Sequence, residues 1–331
     1  MRRLSGILVL AVSLGLGWFW LDYRTFLETP MQLPQEGMVL DVPKGSNLRR
    51  VAGRLHRQGV LRDADLLYWH ARWYELADRI RAGEFLIPAG TTPPQLLEIL
   101  ISGETISYRL TLIEGWNFRQ VLKAVANDPV LNQTLEVGDN ADVMRQLGLP
   151  DIHPEGRFFP DTYVFPRGTT DVEFLQRAHQ RMQIELADAW SQRAEDVAVS
   201  SPEEALILAS IVEKETGVPE ERELIAGVFS RRLRIGMKLQ TDPTVIYGMG
   251  DRYQGNIRRK DLVEDTPYNT YVHRGLPPTP ICMPGREAID AALHPAPGKT
   301  LYFVANGDGS HVFSKTLKEH NAAVRKYQLK R

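Results

Sequence analysis

Residues Leu4 to Leu21, LSGILVLAVSLGLGWFWL, contain no charged side chain. As a helix this run would extend about 27 Å, enough to cross the hydrocarbon core of a bilayer with little tilt. Arg2 and Arg3 precede it, and Trp18, Phe19, Trp20 and Tyr23 stand where an interfacial aromatic belt would lie. The following residues, LDYRTFLETP, lack the small-x-small pattern of a cleaved signal peptide. The run therefore predicts a single-pass anchor, residues 4–21, behind a cytoplasmic tail of residues 1–3. With the arginines on the cytoplasmic side, everything after Asp22 is expected outside the cytoplasm.

The remaining chain is long enough for two domains. It is 43% hydrophobic and 24% charged with a net charge of −1, which argues against both disorder and nucleic-acid binding. The single cysteine, Cys282, excludes an intrachain disulfide and any cysteine-based metal cluster.

Residues 22–38 hold Pro30, Pro34 and Gly37 without clear periodicity and predict a spacer. Three similar windows follow, starting at Val39, Glu84 and Tyr108. Each combines a short apolar strand, a glycine (Gly45, Gly90, Gly115), a capping residue (Ser46, Thr91, Asn117) and a helical apolar period. Their unequal spacing excludes a solenoid, and a small β-α-α-β unit fits residues 39–102. Leu122 to Ala198 read as mostly helical and polar, interrupted by HPEGRFFPDTYVFPRGT, a structured loop or short hairpin.

SSPEEALILASIVEKETG predicts a helix with Ser201 as N-cap, Pro202 at the first position, a capping box completed by Glu204, and a stop at Gly217 and Pro219. Its apolar residues spread around the wheel, so it is expected to be buried on most sides. It ends in two carboxylates, Glu213 and Glu215. The negative end of the helix dipole and apolar surroundings both raise a carboxyl pKa toward that of a general acid. Small neighbours (Ala209, Ser210, Thr216, Gly217) favour Glu213 as the catalytic group; branched ones (Ile211, Val212, Val218) suggest an orienting role for Glu215. Asp242, before Pro243, reads as the N-cap of a short helix. The tail predicts a hairpin turning at NGDGS and a helix capped by Thr316. His294, His311 and His320 lack close ligand spacing and read as structural hydrogen-bonders.

EGRFFPDTYVF, LASIVEKETG, FSRRLRIGMKLQTDPTVIYGMG, YNTYVHRGLPPTPICMPG and LYFVANGDGSHVFSKTLKEHN together resemble the endolytic murein transglycosylases of the YceG-like family. The resemblance covers residues 39 to 328. Arg157 and Phe158 depart from it, standing where bulkier apolar or aromatic residues are expected. It implies an α+β protein: an N-terminal transmembrane helix, a small LysM-like subdomain over 39–102, and a mixed α+β catalytic domain over 103–331. It also implies lytic cleavage of the MurNAc-(β1,4)-GlcNAc bond of nascent peptidoglycan strands, with no cofactor, no metal and peptidoglycan synthases as partners. The first glutamate of IVEKET, Glu213, is then the expected catalytic acid. Gln240, Thr241, Asp242, Tyr247, Tyr268, Asn269 and Thr270 are the expected substrate contacts. A hydrolase of the same bond using Asp242, and a peptidoglycan-binding scaffold with a purely structural glutamate helix, are the alternatives.

Overall fold

The computed structural model describes residues 2–136 and 138–329; Met1 of the expected tail, and Val137, Lys330 and Arg331 of the expected catalytic domain, lie outside them. The chain divides into two compact units, residues 1–108 with 164–169, and residues 109–163 with 170–331.

The first unit opens with helix α1 (Arg2–Glu28), an uninterrupted helix whose stretch Gly6–Glu28 is long and apolar enough to cross a membrane. Residues 22–28, expected as spacer, are its last two turns. An Arg24–Glu28 pair at helical spacing and the burial of Phe26 carry the helix past its apolar run. Then come β1 (Met38–Val42), α2 (Leu48–Arg57), α3 (Ala64–Trp73), β2 (Gly83–Ile87) and α4 (Pro93–Ser102). The two strands pair antiparallel, Met38 opposite Ile87 and Val42 opposite Gly83. Leu40, Val42, Phe85 and Ile87 pack with Leu48, Val51, Leu67, Leu96 and Phe26 in one core. The expected β-α-α-β grammar is present, with α4 added. Two caps fall one residue later than expected. Asn47 caps α2 and Thr92 caps α4, while the Thr91 hydroxyl bonds the Pro88 carbonyl instead.

The strands β3 (Ser107–Thr111) and β4 (Thr162–Pro166) pair with each other and straddle the division between the units. The second unit then contains α5 (Phe118–Ala126), α6 (Asn140–Gln146), α7 (Asp171–Ser191), α8 (Pro202–Glu215), α9 (Arg222–Arg234), α10 (Asp242–Met249) and α11 (Arg286–Leu293). The hairpin β5 (Tyr302–Ala305)–β6 (His311–Ser314) and α12 (Leu317–Tyr327) complete it. The hairpin turns through 306–310 and Thr316 caps α12, as the sequence predicts. Arg157 and Phe158 fit their surroundings. Phe158 stacks on Phe118 in the core, and Arg157 reaches Glu203 at 2.7 Å.

Helix α8 is the axis of this unit. Every residue from Ala205 to Val212 is buried, against α7, α9 and α11. Ser201 caps it as expected, but Glu204 does not close a capping box: its carboxylate bonds the amide and hydroxyl of Ser200. Ser210 uses its fully buried hydroxyl twice. It donates to the Ile207 carbonyl and accepts the Ile281 amide at 3.0 Å, docking the ICMPG segment on the helix.

Candidate active site

Because α8 is buried throughout its middle, its chemistry is confined to the last turn, where the two glutamates leave in different directions. At 100° per residue, side chains two apart diverge by about 200°.

Glu213 points toward the start of α11. Its carboxylate accepts the Gly285 amide at 3.0 Å, and Gly285 is the N-cap of α11. A carboxylate is favourable there because the helix N-terminus is its positive end. The site is closely packed: a Cβ at Gly285 would overlap the Glu114 carboxylate, and Gly115, at φ +75°, lies against Glu213 and Lys214. Burial raises the Glu213 pKa, the Gly285 bond lowers it and Glu114 raises it further. This geometry ties the end of one core helix to the start of another.

Glu215 opens into a cavity of about 470 Å³, lined also by Arg232, Gln240, Asp242, Tyr271 and His311. Glu213 lines neither this cavity nor the second one described below. Desolvation pushes the Glu215 carboxyl up to about 7, against a hydrogen bond from Thr241 that lowers it; Asp242 raises it, and His311 and Arg232 lower it. Arg232, on the buried side of α9, is fixed by the carbonyls of Leu301 (2.7 Å) and Leu239 (2.5 Å), so its charge stays in place beside the carboxyl. His311 is held in turn. Its Nδ1 lies 2.7 Å from the Glu221 carboxylate, which also accepts its backbone amide.

Thr241, not Asp242, is the N-cap of α10. Its hydroxyl makes no cap bond and donates instead to Glu215. Asp242 is the first helical residue, and its carboxylate accepts the Tyr271 hydroxyl at 2.6 Å. Gln240 holds a left-handed backbone, φ +51°, secured by its amide donating to the Thr270 carbonyl. Such a conformation costs a non-glycine residue roughly 1–3 kcal/mol and here turns the chain into the cavity wall.

The remaining expected contacts separate. Thr270 is buried beneath the wall, its hydroxyl accepting the Thr241 amide and sharing a bond with Thr244. Asn269 is fully buried. Its amide donates to the carbonyls of Asp261 and Glu264, and its oxygen accepts the Tyr271 amide. It shapes the loop that presents Tyr271 and has no free group for a ligand. Tyr268 stacks edge-on against Tyr247 and bonds Thr279, lining neither cavity.

Tyr247 belongs to a second cavity of about 450 Å³, with Glu155, Lys214, Phe118 and Tyr253. There the Glu155 carboxylate accepts the Phe118 amide (3.0 Å) and the Tyr247 hydroxyl (2.9 Å), and burial lifts its pKa to about 7.

Arg232, Tyr271 and Glu155 are not legible as site residues in the sequence, and His311, expected as a structural hydrogen-bonder, is bonded to Glu221 and also lines the cavity. One signal was available for Arg232: it stands three and four residues after the apolar Phe229 and Val228, so it shares their buried face. The others reach their places through long-range packing.

Residues 40–326 match the model of the YceG-like family. An endolytic murein transglycosylase of Bacillus subtilis is 32% identical over 329 residues, 94% of this chain and 91% of that protein. One from Streptococcus pneumoniae is 26% identical, over 97% of this chain and 64% of the longer relative. Among solved structures, a YceG-like protein from Listeria monocytogenes is 29% identical with a TM-score of 0.55, over 87% of this chain and 99% of that one.

Proposed function

Because the chain belongs to the YceG-like family, we propose that it is an endolytic murein transglycosylase, cutting peptidoglycan strands internally at the MurNAc-(β1,4)-GlcNAc bond, with Glu215 rather than Glu213 as its acid and base. One observation carries the choice of residue: Glu215 lines the 470 Å³ cavity with its carboxyl pushed up to about 7, whereas Glu213 lines neither of the two cavities.

A single carboxyl group suffices for the lytic reaction. Neutral Glu215 gives its proton to the glycosidic oxygen as the bond from that oxygen to C1 of MurNAc breaks, and C1 takes on oxocarbenium character. The resulting carboxylate accepts the proton of the MurNAc 6-hydroxyl as O6 bonds to C1. A 1,6-anhydro-MurNAc end forms, and Glu215 regains its proton. A group with pKa near 7 is well matched to both transfers at neutral pH. Asp242, oriented by Tyr271, supplies negative charge beside the developing cation. Gln240 and Tyr271 offer an amide and a phenol to sugar substituents.

A membrane-spanning α1 would hold this reaction at the outer face of the cytoplasmic membrane, where nascent strands emerge and strand-polymerising synthases are the expected neighbours. One feature favours a second reading: Asp242 shares the cavity with Glu215, as a second carboxylate does in hydrolases that activate water. Mass spectrometry of the products from uncrosslinked glycan strands separates the two. Anhydro ends support the lytic reaction, and reducing ends support hydrolysis.

A further inference from the structure

Helix α1 enters the core of the first unit instead of leading to it through a flexible tether. Phe26 is 2% exposed there, Asp22 pairs with Arg62 at 2.8 Å, and the Tyr23 hydroxyl lies 2.6 Å from His70 Nδ1. Tyr23 follows the end of the uncharged run by two residues, about 3 Å of helix. The contacts to Arg62 and His70 therefore hold this unit at the level where α1 would leave the hydrocarbon core.

From that level a path of rings runs onto α3. Trp20 lies 6.1 Å from Tyr23, Tyr23 lies 6.0 Å from His70, and His70 lies 4.9 Å from Tyr74, measured between ring centres. Leu67 and Ala71 turn the inner face of α3 into the core. On the opposite face Trp69 and Trp73, four residues apart, are 63% and 83% exposed, and Tyr74 just beyond is 59% exposed. Three large exposed aromatics are costly to hydrate. Their amphipathic rings fit a headgroup layer, which is roughly 5–8 Å deep on each side of the bilayer.

We propose that the Trp69–Trp73 face of α3, with the exposed Tyr74 at the helix end, lies in the lipid headgroup layer of the bilayer that α1 crosses, so that the first unit is docked on the membrane surface. The proposal rests on reading α1 as a membrane span. It makes the aromatic face a lipid-binding surface and leaves glycan to the second unit.

The test uses the full chain in phospholipid nanodiscs, carrying a nitroxide on Val12→Cys or on Trp73→Cys; the native Cys282 is fully buried. Relaxation by oxygen, which concentrates in lipid, is compared with relaxation by an aqueous nickel chelate. Both labels are expected to favour oxygen, with position 73 shallower than 12, and uncrosslinked glycan strands are expected to leave position 73 unchanged. If the label at 12 lies in lipid while that at 73 meets nickel freely, the docking proposal is overturned and the span stands. Protection of position 73 only when glycan is added makes the face a sugar platform and equally overturns the proposal. Nickel access at position 12 removes the span itself, and the proposal with it.

Discussion

The hydroxyl of Thr241 donates to the carboxylate of Glu215 rather than capping the helix that Thr241 begins. The bond links the QTDPT turn to the end of α8 and favours the ionised form of a carboxyl that burial drives the other way. If Glu215 must carry a proton to start the reaction, kcat should fall as pH rises through about 7. Thr241→Val keeps the shape, removes the donor and should move that alkaline limb to higher pH. A pH–rate profile of the two proteins checks this; an unmoved limb would mean that the bond does not tune the reacting group.

Gln240 is strained in the wall of the same cavity. Glycine adopts φ +51° without penalty, so Gln240→Gly should keep its stability or gain up to about 1 kcal/mol in urea unfolding. Its kcat/KM on glycan strands should nevertheless drop about tenfold through loss of the side-chain amide. A stable variant with full activity would remove Gln240 from the substrate contacts.

Asn269 should behave in the opposite way. Asn269→Ala leaves the carbonyls of Asp261 and Glu264 and the amide of Tyr271 without their buried partner. A loss on the order of 2–4 kcal/mol in chemical denaturation is expected. At temperatures where the variant remains folded, KM should change little.

Glu155 provides a stability test with a defined sign. Its folded pKa, about 7, lies above that of an exposed glutamate, so the folded state binds the proton more tightly than the unfolded one. That contribution is complete below the unfolded pKa of about 4.3 and is lost as pH rises through about 7. Glu155→Gln should therefore be more stable than wild type at pH 8, by on the order of 2–3 kcal/mol, and show no such gain at pH 4. Urea unfolding at the two pH values reads the difference directly.

Local chemistry explains what was readable in advance. Ser201-Pro202 starts α8, Asn306 to Ser310 turn the hairpin, and Thr316 caps α12, each decided by side chains within a few residues. The uncharged N-terminal run was equally plain, although its helix continues to Glu28 because Phe26 finds a core supplied by residues 40–100. The choice between Glu213 and Glu215 was not readable from neighbours in sequence. Small residues beside Glu213 suggest room for substrate, and nothing in the sequence signals that its carboxylate accepts the amide of Gly285, a residue far along the chain. The cavity at Glu215 is built from Arg232, Gln240, Asp242, Tyr271 and His311, which only folding brings together. Asn269 illustrates the converse: a polar residue in a sugar-site-like run whose bonding capacity the backbone has already used.

The central claim is the identity of the proton donor, and product formation by two single variants tests it most directly. Glu215→Gln should lose anhydro-muropeptide ends by about 100-fold or more, the usual contribution of a general acid–base group. Glu213→Gln keeps an oxygen to accept the Gly285 amide and should remain within a few-fold of wild type. Full activity in Glu215→Gln together with its loss in a folded Glu213→Gln would contradict the account and return the chemistry to Glu213.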